Sequence, residues 1–162
     1  MPARGLKRHS EDMNEISRRD EVSLSGAALR GAPWKAAAIG GGATAAASFG
    51  LGVLLPGSAD LVWALGLGIS VFALVAAIGA VSKPNEGDRV TRQARLWALK
   101  HPWKFALLPA AIAAVLDYPV QLVLDGEGVF GSAFQSIWHG ALVYLIAGVL
   151  TLTRQGRARS SQ

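Results

Sequence analysis

The sequence has no cysteine, and charged residues make up only 17% of its 162 positions. The lack of cysteine excludes a disulfide, a thiolate metal site and a cysteine nucleophile. No spacing of His, Asp or Glu matches a metal site or a catalytic carboxylate pair. We therefore expect a non-enzymatic protein with no metal and no cofactor. Acids interspersed among the bases before the first apolar stretch also argue against a nucleic-acid partner.

Four long apolar stretches account for most of the chain. Each has about 20 residues, the length of a helix that crosses a ~30 Å hydrocarbon core. A helix on the surface of a soluble bundle would carry a charged face along its length, and none of the four does. The sequence therefore predicts an all-α, integral membrane four-helix bundle with spans at 36–55, 61–81, 105–124 and 130–152.

The remaining segments are polar and flank this transmembrane domain, which we place at 33–153. Apolar residues are sparse in 1–32, which predicts a largely disordered tail. A basic loop over 82–104 joins the second and third spans, and a short basic tail occupies 154–162.

The basic residues are distributed unevenly between the two sides of the spans. All 16 Lys and Arg lie before the first span, between the second and third, or after the fourth. The other two connections hold Asp60, Asp125 and Glu127 and no base. The positive-inside rule then predicts that both termini are cytoplasmic. The Ala-, Gly- and Arg-rich composition favours a bacterial protein, so we expect a bacterial cytoplasmic membrane.

The two halves of the chain contain a short repeat. Pro33-Trp34-Lys35 opens the first span, and Pro102-Trp103-Lys104 opens the third, 69 positions later. A true duplication would give two tandem parallel helical hairpins related by an axis along the membrane normal. Convergence is the alternative, because Pro suits a first helical turn and Trp and Lys suit the membrane interface. The same shift pairs Gly79 with Gly148, Ser48 with Asp117, and Ser70 with His139.

Two ionisable residues lie within the predicted spans. Asp117 is about 10 Å from the outer end of the third span, and His139 is roughly 14 Å deep in the fourth. Inserting an ionised Asp at this depth of a membrane costs about 2.5–3.5 kcal/mol. Asp117 should therefore face protein or water. The short outer connection makes contact with His139 feasible. Together with Gln121 and Gln135, this pair is a candidate site either for protons or ions or for helix pairing.

Small residues recur along the first two spans. In the first span they repeat every four residues, and in the second they continue at similar steps. Such stripes let neighbouring helices approach closely. The predicted packing residues are Gly40, Thr44, Ser48, Gly52, Gly66 and Ser70.

Residues 88–100 of the central loop predict a short basic amphipathic helix. Val90, Ala94 and Trp97 cluster on a helical wheel, and the bases fall mostly elsewhere. Such a helix suits an anionic headgroup layer. It predicts contacts with the lipid bilayer at Arg89, Arg92, Arg95, Trp97 and Lys100. The charges can instead serve only to fix the topology, or to dock a cytosolic partner.

Two functions follow from this pattern. The first is a subunit, accessory or scaffold component of a membrane assembly, formed by self-association or with other membrane subunits. The second is a small proton-coupled transporter or channel that uses Asp117 and His139. Asp117→Asn separates them, because a scaffold would still assemble whereas proton-coupled flux would vanish.

Overall fold

The computed structural model describes residues 20–55, 59–82, 87–126 and 128–160. These residues form six helices and no strand, which confirms the predicted all-α class. Residues 20–29 form α1. The others are α2 (Trp34–Leu54), α3 (Leu61–Ser82), α4 (Arg89–Lys100), α5 (Pro102–Leu124) and α6 (Gly128–Ser160).

Four of these helices are long and apolar enough to cross a membrane: α2, α3, α5 and Gly128–Arg154 of α6. They match the four predicted spans to within a few residues. Large apolar side chains cover their outer surfaces, and Phe130 and Val123 are 91% and 76% exposed. Such exposure would be unfavourable in water and is expected against lipid. The helices thus indicate a multi-pass membrane protein.

The four membrane-length helices pack unequally. The most extensive packing joins α5 to α6 and α2 to α3, and α3 also contacts both α5 and α6. Among the other membrane-length helices, α2 packs against α3 alone. Only Ala37 and Gly41 are buried on α2. The bundle therefore has a core of α3, α5 and α6, with α2 on the outer side of α3.

The two ends of the bundle differ in charge. At one end, Lys35 and Lys104 lie in the first turns of α2 and α5. At the same end, Arg154 of α6 donates a 2.9 Å hydrogen bond to the Ser82 hydroxyl of α3. We call this the basic end. Asp60 and Asp125 lie at the opposite, acidic end.

Helices α1 and α4 close the basic end. Ala28 of α1, Ala98 of α4 and Phe105 of α5 are each 0% exposed and belong to one buried apolar cluster. The prediction of a disordered tail is therefore wrong for residues 20–29, because three apolar residues near the end of α1 suffice to bury one face of it. Residues 1–19 lie outside the described residues.

The predicted helix in the central loop is confirmed as α4. Its N-cap is Asp88, whose carboxylate accepts a 3.1 Å hydrogen bond from the Thr91 N–H. Hydrogen bonds from Thr91 lower the pKa of Asp88, and the bond from its side chain contributes more than the bond from its backbone. An acceptor at this position satisfies a free N–H group of the first turn.

One predicted headgroup residue of α4 lies inside the protein. Arg95 is only 5% exposed and donates a 3.2 Å hydrogen bond to the Gly31 carbonyl. A Cβ at position 31 would overlap this guanidinium. The prediction that Arg95 contacts lipid headgroups is therefore wrong, because α1 and its link to α2 cover it. The other predicted bases, Arg89, Arg92 and Lys100, are exposed, and Trp97 is half-buried.

Candidate functional site

A buried polar site lies where α5 and α6 pack together. Asp117 of α5 is 0% exposed, and its Oδ2 lies 2.7 Å from Nδ1 of His139 on α6. Gln121, one turn further along α5, donates a 3.3 Å hydrogen bond to the same oxygen. The structure thus brings together three of the four residues of the predicted site. Gln135, the fourth, is half-buried, and no described hydrogen bond joins it to the pair.

Helix α3 forms the third wall of this site through Gly66. A Cβ at this position would lie 3.2 Å from Oδ1 of Asp117 and 3.2 Å from Cε1 of His139. The glycine therefore lets the α3 backbone lie directly over the pair. The sequence predicted Gly66 only as a packing residue, since a stripe of small residues does not indicate which neighbour it faces.

The second oxygen of Asp117 has no hydrogen-bond partner within the described part of the chain. Oδ1 is buried and unpaired among the described residues, and so is the Ser132 hydroxyl on α6. Buried polar atoms almost always find a partner, and leaving one unpaired costs about 1–3 kcal/mol. An unpaired carboxylate oxygen is therefore the least expected feature of this site.

His139 is the polar partner of a carboxyl group in an apolar layer, where a buried charge without a partner is costly. Nδ1 faces Asp117, so Nε2 lies on the other edge of the ring, and the His139 side chain is 21% exposed. The imidazole therefore links the buried acid to the surface of the bundle.

The predicted packing residues of α2 lie on its side facing α3, with one shift in register. Gly40 approaches Val75 to within 3.8 Å, measured from a Cβ built at position 40. Thr44, Ser48 and Gly52 are half-buried on the same side. The closest approach is one residue further on, where a Cβ at Gly41 would lie 2.6 Å from the Gly68 carbonyl oxygen. Ser70 donates a 2.8 Å hydrogen bond within its own helix, to the Gly66 carbonyl.

The fold and the site together define an all-helical, multi-pass membrane protein with a buried Asp–His pair. No protein family, curated protein or solved structure matches this chain. Among the residues that the structure describes, no three His, Asp or Glu side chains come close enough to hold a metal ion.

Proposed function

We propose that this protein is a non-enzymatic component of a membrane assembly and that α2 is the helix that contacts further membrane-spanning helices. The distribution of its 16 basic residues supports a bacterial cytoplasmic membrane with both termini inside. The exposed bases of α4 support contact of that surface with anionic headgroups.

The outward face of α2 carries the observation on which this proposal depends. Ala38, Gly42, Ala46 and Gly50 follow one another at steps of four and are exposed or half-buried. A Cβ built at Gly42 or Gly50 would meet no atom within 4 Å. A glycine in a helix costs about 1 kcal/mol relative to alanine. The packing of this chain does not require these two glycines, whereas close contact with another helix would.

An open groove beside this face supports the same conclusion. It has a volume of about 330 Å³, lies between α2 and α3, and is bordered by Leu116 of α5. Ala38 and Gly42 line it, together with Ile69 and Phe72 of α3. A membrane-spanning helix placed there would contact α2 and the core at once.

Cysteine cross-linking tests this proposal directly, because the chain has no cysteine of its own. Ala46→Cys places one thiol on the outward face of α2. We expect oxidation in native membranes to join two introduced thiols in a disulfide-linked homodimer if the protein self-associates. A photo-activated cross-linker attached to the same thiol should give a larger mixed product if another subunit binds. Val149→Cys on α6, which is 51% exposed, is the matched control and should stay monomeric.

A second variant separates assembly from folding. Gly42→Leu adds volume where nothing lies within 4 Å, so the monomer should keep its stability. The cross-link at Ala46→Cys should nevertheless fall at least several-fold. If Ala46→Cys and Val149→Cys behave alike in membranes, α2 is not the contact helix.

The Asp117–His139 pair favours a second candidate, coupling of the protein to protons. The specific observation is a carboxylate that is 0% exposed and whose Oδ1 has no partner among the residues that the structure describes. We expect purified protein in liposomes to carry protons along an imposed gradient, as followed by an entrapped pH dye. Asp117→Asn should abolish this flux and leave the α2 cross-link intact, whereas Asp125→Asn at the acidic end should keep both. Normal flux in Asp117→Asn would exclude this role.

A further inference from the structure

A second groove lies at the basic end, between α1 and α5. Its volume is about 400 Å³, and Val22 and Ser25 of α1 form one wall. Leu107, Leu108 and Ala111 of α5 form the other. Leu107 is 59% exposed, so this wall faces the surrounding hydrocarbon rather than the interior of the bundle.

A charge pair closes one end of this groove. Lys104 and Glu21 form an ion pair, and their side chains remain 51% and 36% exposed. An ion pair this exposed stabilises a fold only weakly. Both charges stay close enough to the surface to interact with a third group.

The groove changes from charged to apolar with depth. Lys104 is the third residue of α5 and follows Trp103, an aromatic residue typical of the membrane boundary. Leu107 and Ala111 lie three and seven residues further along, so about 4.5 and 10 Å deeper at 1.5 Å per residue. A phospholipid likewise has a charged headgroup above apolar acyl chains, so the groove matches it in the order of charged and apolar parts.

We propose that this groove binds a zwitterionic phospholipid with a primary ammonium, phosphatidylethanolamine. Its phosphate would lie against Lys104, and its ammonium would donate hydrogen bonds to the Glu21 carboxylate. An acyl chain would follow Leu107 and Ala111. The choline headgroup has no N–H to donate, so charge-assisted hydrogen bonding to Glu21 selects the primary amine. A purely anionic headgroup would instead place its charge beside the Glu21 carboxylate.

Native mass spectrometry of the full chain, released from detergent with each lipid, tests this proposal. We expect phosphatidylethanolamine to be retained about fivefold to tenfold more than phosphatidylcholine, which carries the same net charge. Glu21→Gln should remove this preference. Ala111→Phe should remove the bound lipid itself by filling the groove, while the ion pair above it persists.

Two variants outside the groove serve as matched controls. Lys35→Gln removes the base that corresponds to Lys104 in the first half, and Ala38→Phe fills the groove beside α2. Both should keep the full preference for phosphatidylethanolamine. Equal retention of the two lipids by the unchanged protein would refute the proposal, as would an unaltered preference in Glu21→Gln. Stronger retention of phosphatidylglycerol that depends on Lys104 but not Glu21 would show an anionic-lipid site instead.

Discussion

The two hairpins, α2–α3 and α5–α6, close in a similar way at their basic ends. In the first, Gly79 of α3 lies against the ring of Pro33, and in the second, Gly148 of α6 lies against the ring of Trp103. A Cβ at either glycine would overlap that ring. The glycines are 69 positions apart, the same distance that separates the two Pro-Trp-Lys motifs. The glycines correspond at this shift but the rings do not, because Pro33 pairs with Pro102, so the two hairpins share this closure only in part.

Each hairpin also has a close helix approach near its middle. A Cβ at Gly68 of α3 would lie 2.8 Å from Cβ of Ala45, and a Cβ at Gly140 of α6 would lie 3.0 Å from Cβ of Ala114. Ala45 and Ala114 are again 69 positions apart, whereas Gly68 and Gly140 are 72 apart. The second helix of each pair is thus displaced by about one turn near this contact.

The two hairpins differ in the polar residues near the middle of their helices. The second holds Asp117 and His139, where the first has Ser48 and Ser70. Helix α5 is enclosed by α3 and α6, and Asp117 is 0% exposed, whereas α2 has α3 as its one membrane-length neighbour. Ionisable groups are therefore found in the half whose first helix is surrounded. The comparison indicates that enclosure by neighbouring helices determines where this fold tolerates a charge.

Removing one partner of the pair should have the largest effect. His139→Leu leaves the Asp117 side chain buried without its closest polar partner, which should lower the free energy of unfolding by about 3–5 kcal/mol. The corresponding change in the first hairpin, Ser70→Leu, breaks one hydrogen bond within α3 and should cost less than half as much. Unfolding in mixed micelles, followed by circular dichroism, measures both.

The double variant Asp117→Leu/His139→Leu is the control for this prediction. Replacing both members of a buried ion pair by apolar residues is often neutral or stabilising. We therefore expect it to recover most of the loss seen in His139→Leu. Equal costs for His139→Leu and Ser70→Leu would mean that the two hairpins do not differ in this respect.

Transferring the acid to the first hairpin tests the same difference in reverse. Ser48→Asp adds about 2.5–3.5 kcal/mol to the cost of inserting α2. This span has six strongly apolar residues: Ile39 before Ser48, and Phe49, Leu51, Val53, Leu54 and Leu55 after it. At about −0.3 to −0.6 kcal/mol each, they barely offset that cost.

Protease protection of membrane vesicles then measures how much of α2 inserts. We expect a marked loss of insertion for Ser48→Asp and little loss for Ser48→Asn, which has a similar shape and no charge. Full insertion of Ser48→Asp would show that α2 tolerates a charge as well as α5 does.

The sequence predicted most of this fold because membrane spans leave a strong local signal. Four stretches of helical length with almost no charge can be recognised without knowing which helix touches which. Helix α1 was not predicted, because its buried apolar residues near its end are only Ala27, Ala28 and Leu29. Three such residues do not distinguish a helix from a polar tail. The burial of Arg95 escaped for a related reason, since its acceptor is the backbone carbonyl of Gly31, 64 positions away in the chain.

The residues of the site were predictable, but their surroundings were not. Asp117 and His139 stand out because an ionisable residue in a span is costly, and a short connection places their helices side by side. The role of Gly66 and the outward position of Gly42 depend on how α3 and α2 are rotated. The rotation of each helix about its own axis is set by packing against its neighbours. Because α2 has stripes of small residues on two sides, its sequence is compatible with either side facing α3.

Adding a methyl group at the closing glycines tests whether the hairpins close equally. Gly79→Ala and Gly148→Ala should each lower the free energy of unfolding by about 1–3 kcal/mol, because the new Cβ overlaps a rigid ring. Gly42→Ala meets nothing within 4 Å and should instead raise it by up to about 1 kcal/mol, because alanine favours a helix over glycine. A loss at one closing glycine alone would weaken the case for duplication.

The smallest effect should come from the serines that bond within their own helices. Ser70 donates to the Gly66 carbonyl and Ser136 donates to the Ser132 carbonyl, each at 2.8 Å. Replacing either by Ala removes the donor along with its bond, so no polar atom is left unpaired. Hydrogen bonds between membrane helices average only about 0.6 kcal/mol, and we expect losses no larger than this in both variants.

Burial differs between these two serines, and this makes the pair informative. Ser136 is 2% exposed and Ser70 is half-buried. If burial between helices changes the cost of a substitution only for charged groups, Ser70→Ala and Ser136→Ala should lower the free energy of unfolding by amounts that agree to within about 0.5 kcal/mol. A much larger loss for Ser136→Ala would extend the polar core of the second hairpin from the Asp117–His139 pair toward Ser132, whose hydroxyl is also buried and unpaired among the described residues.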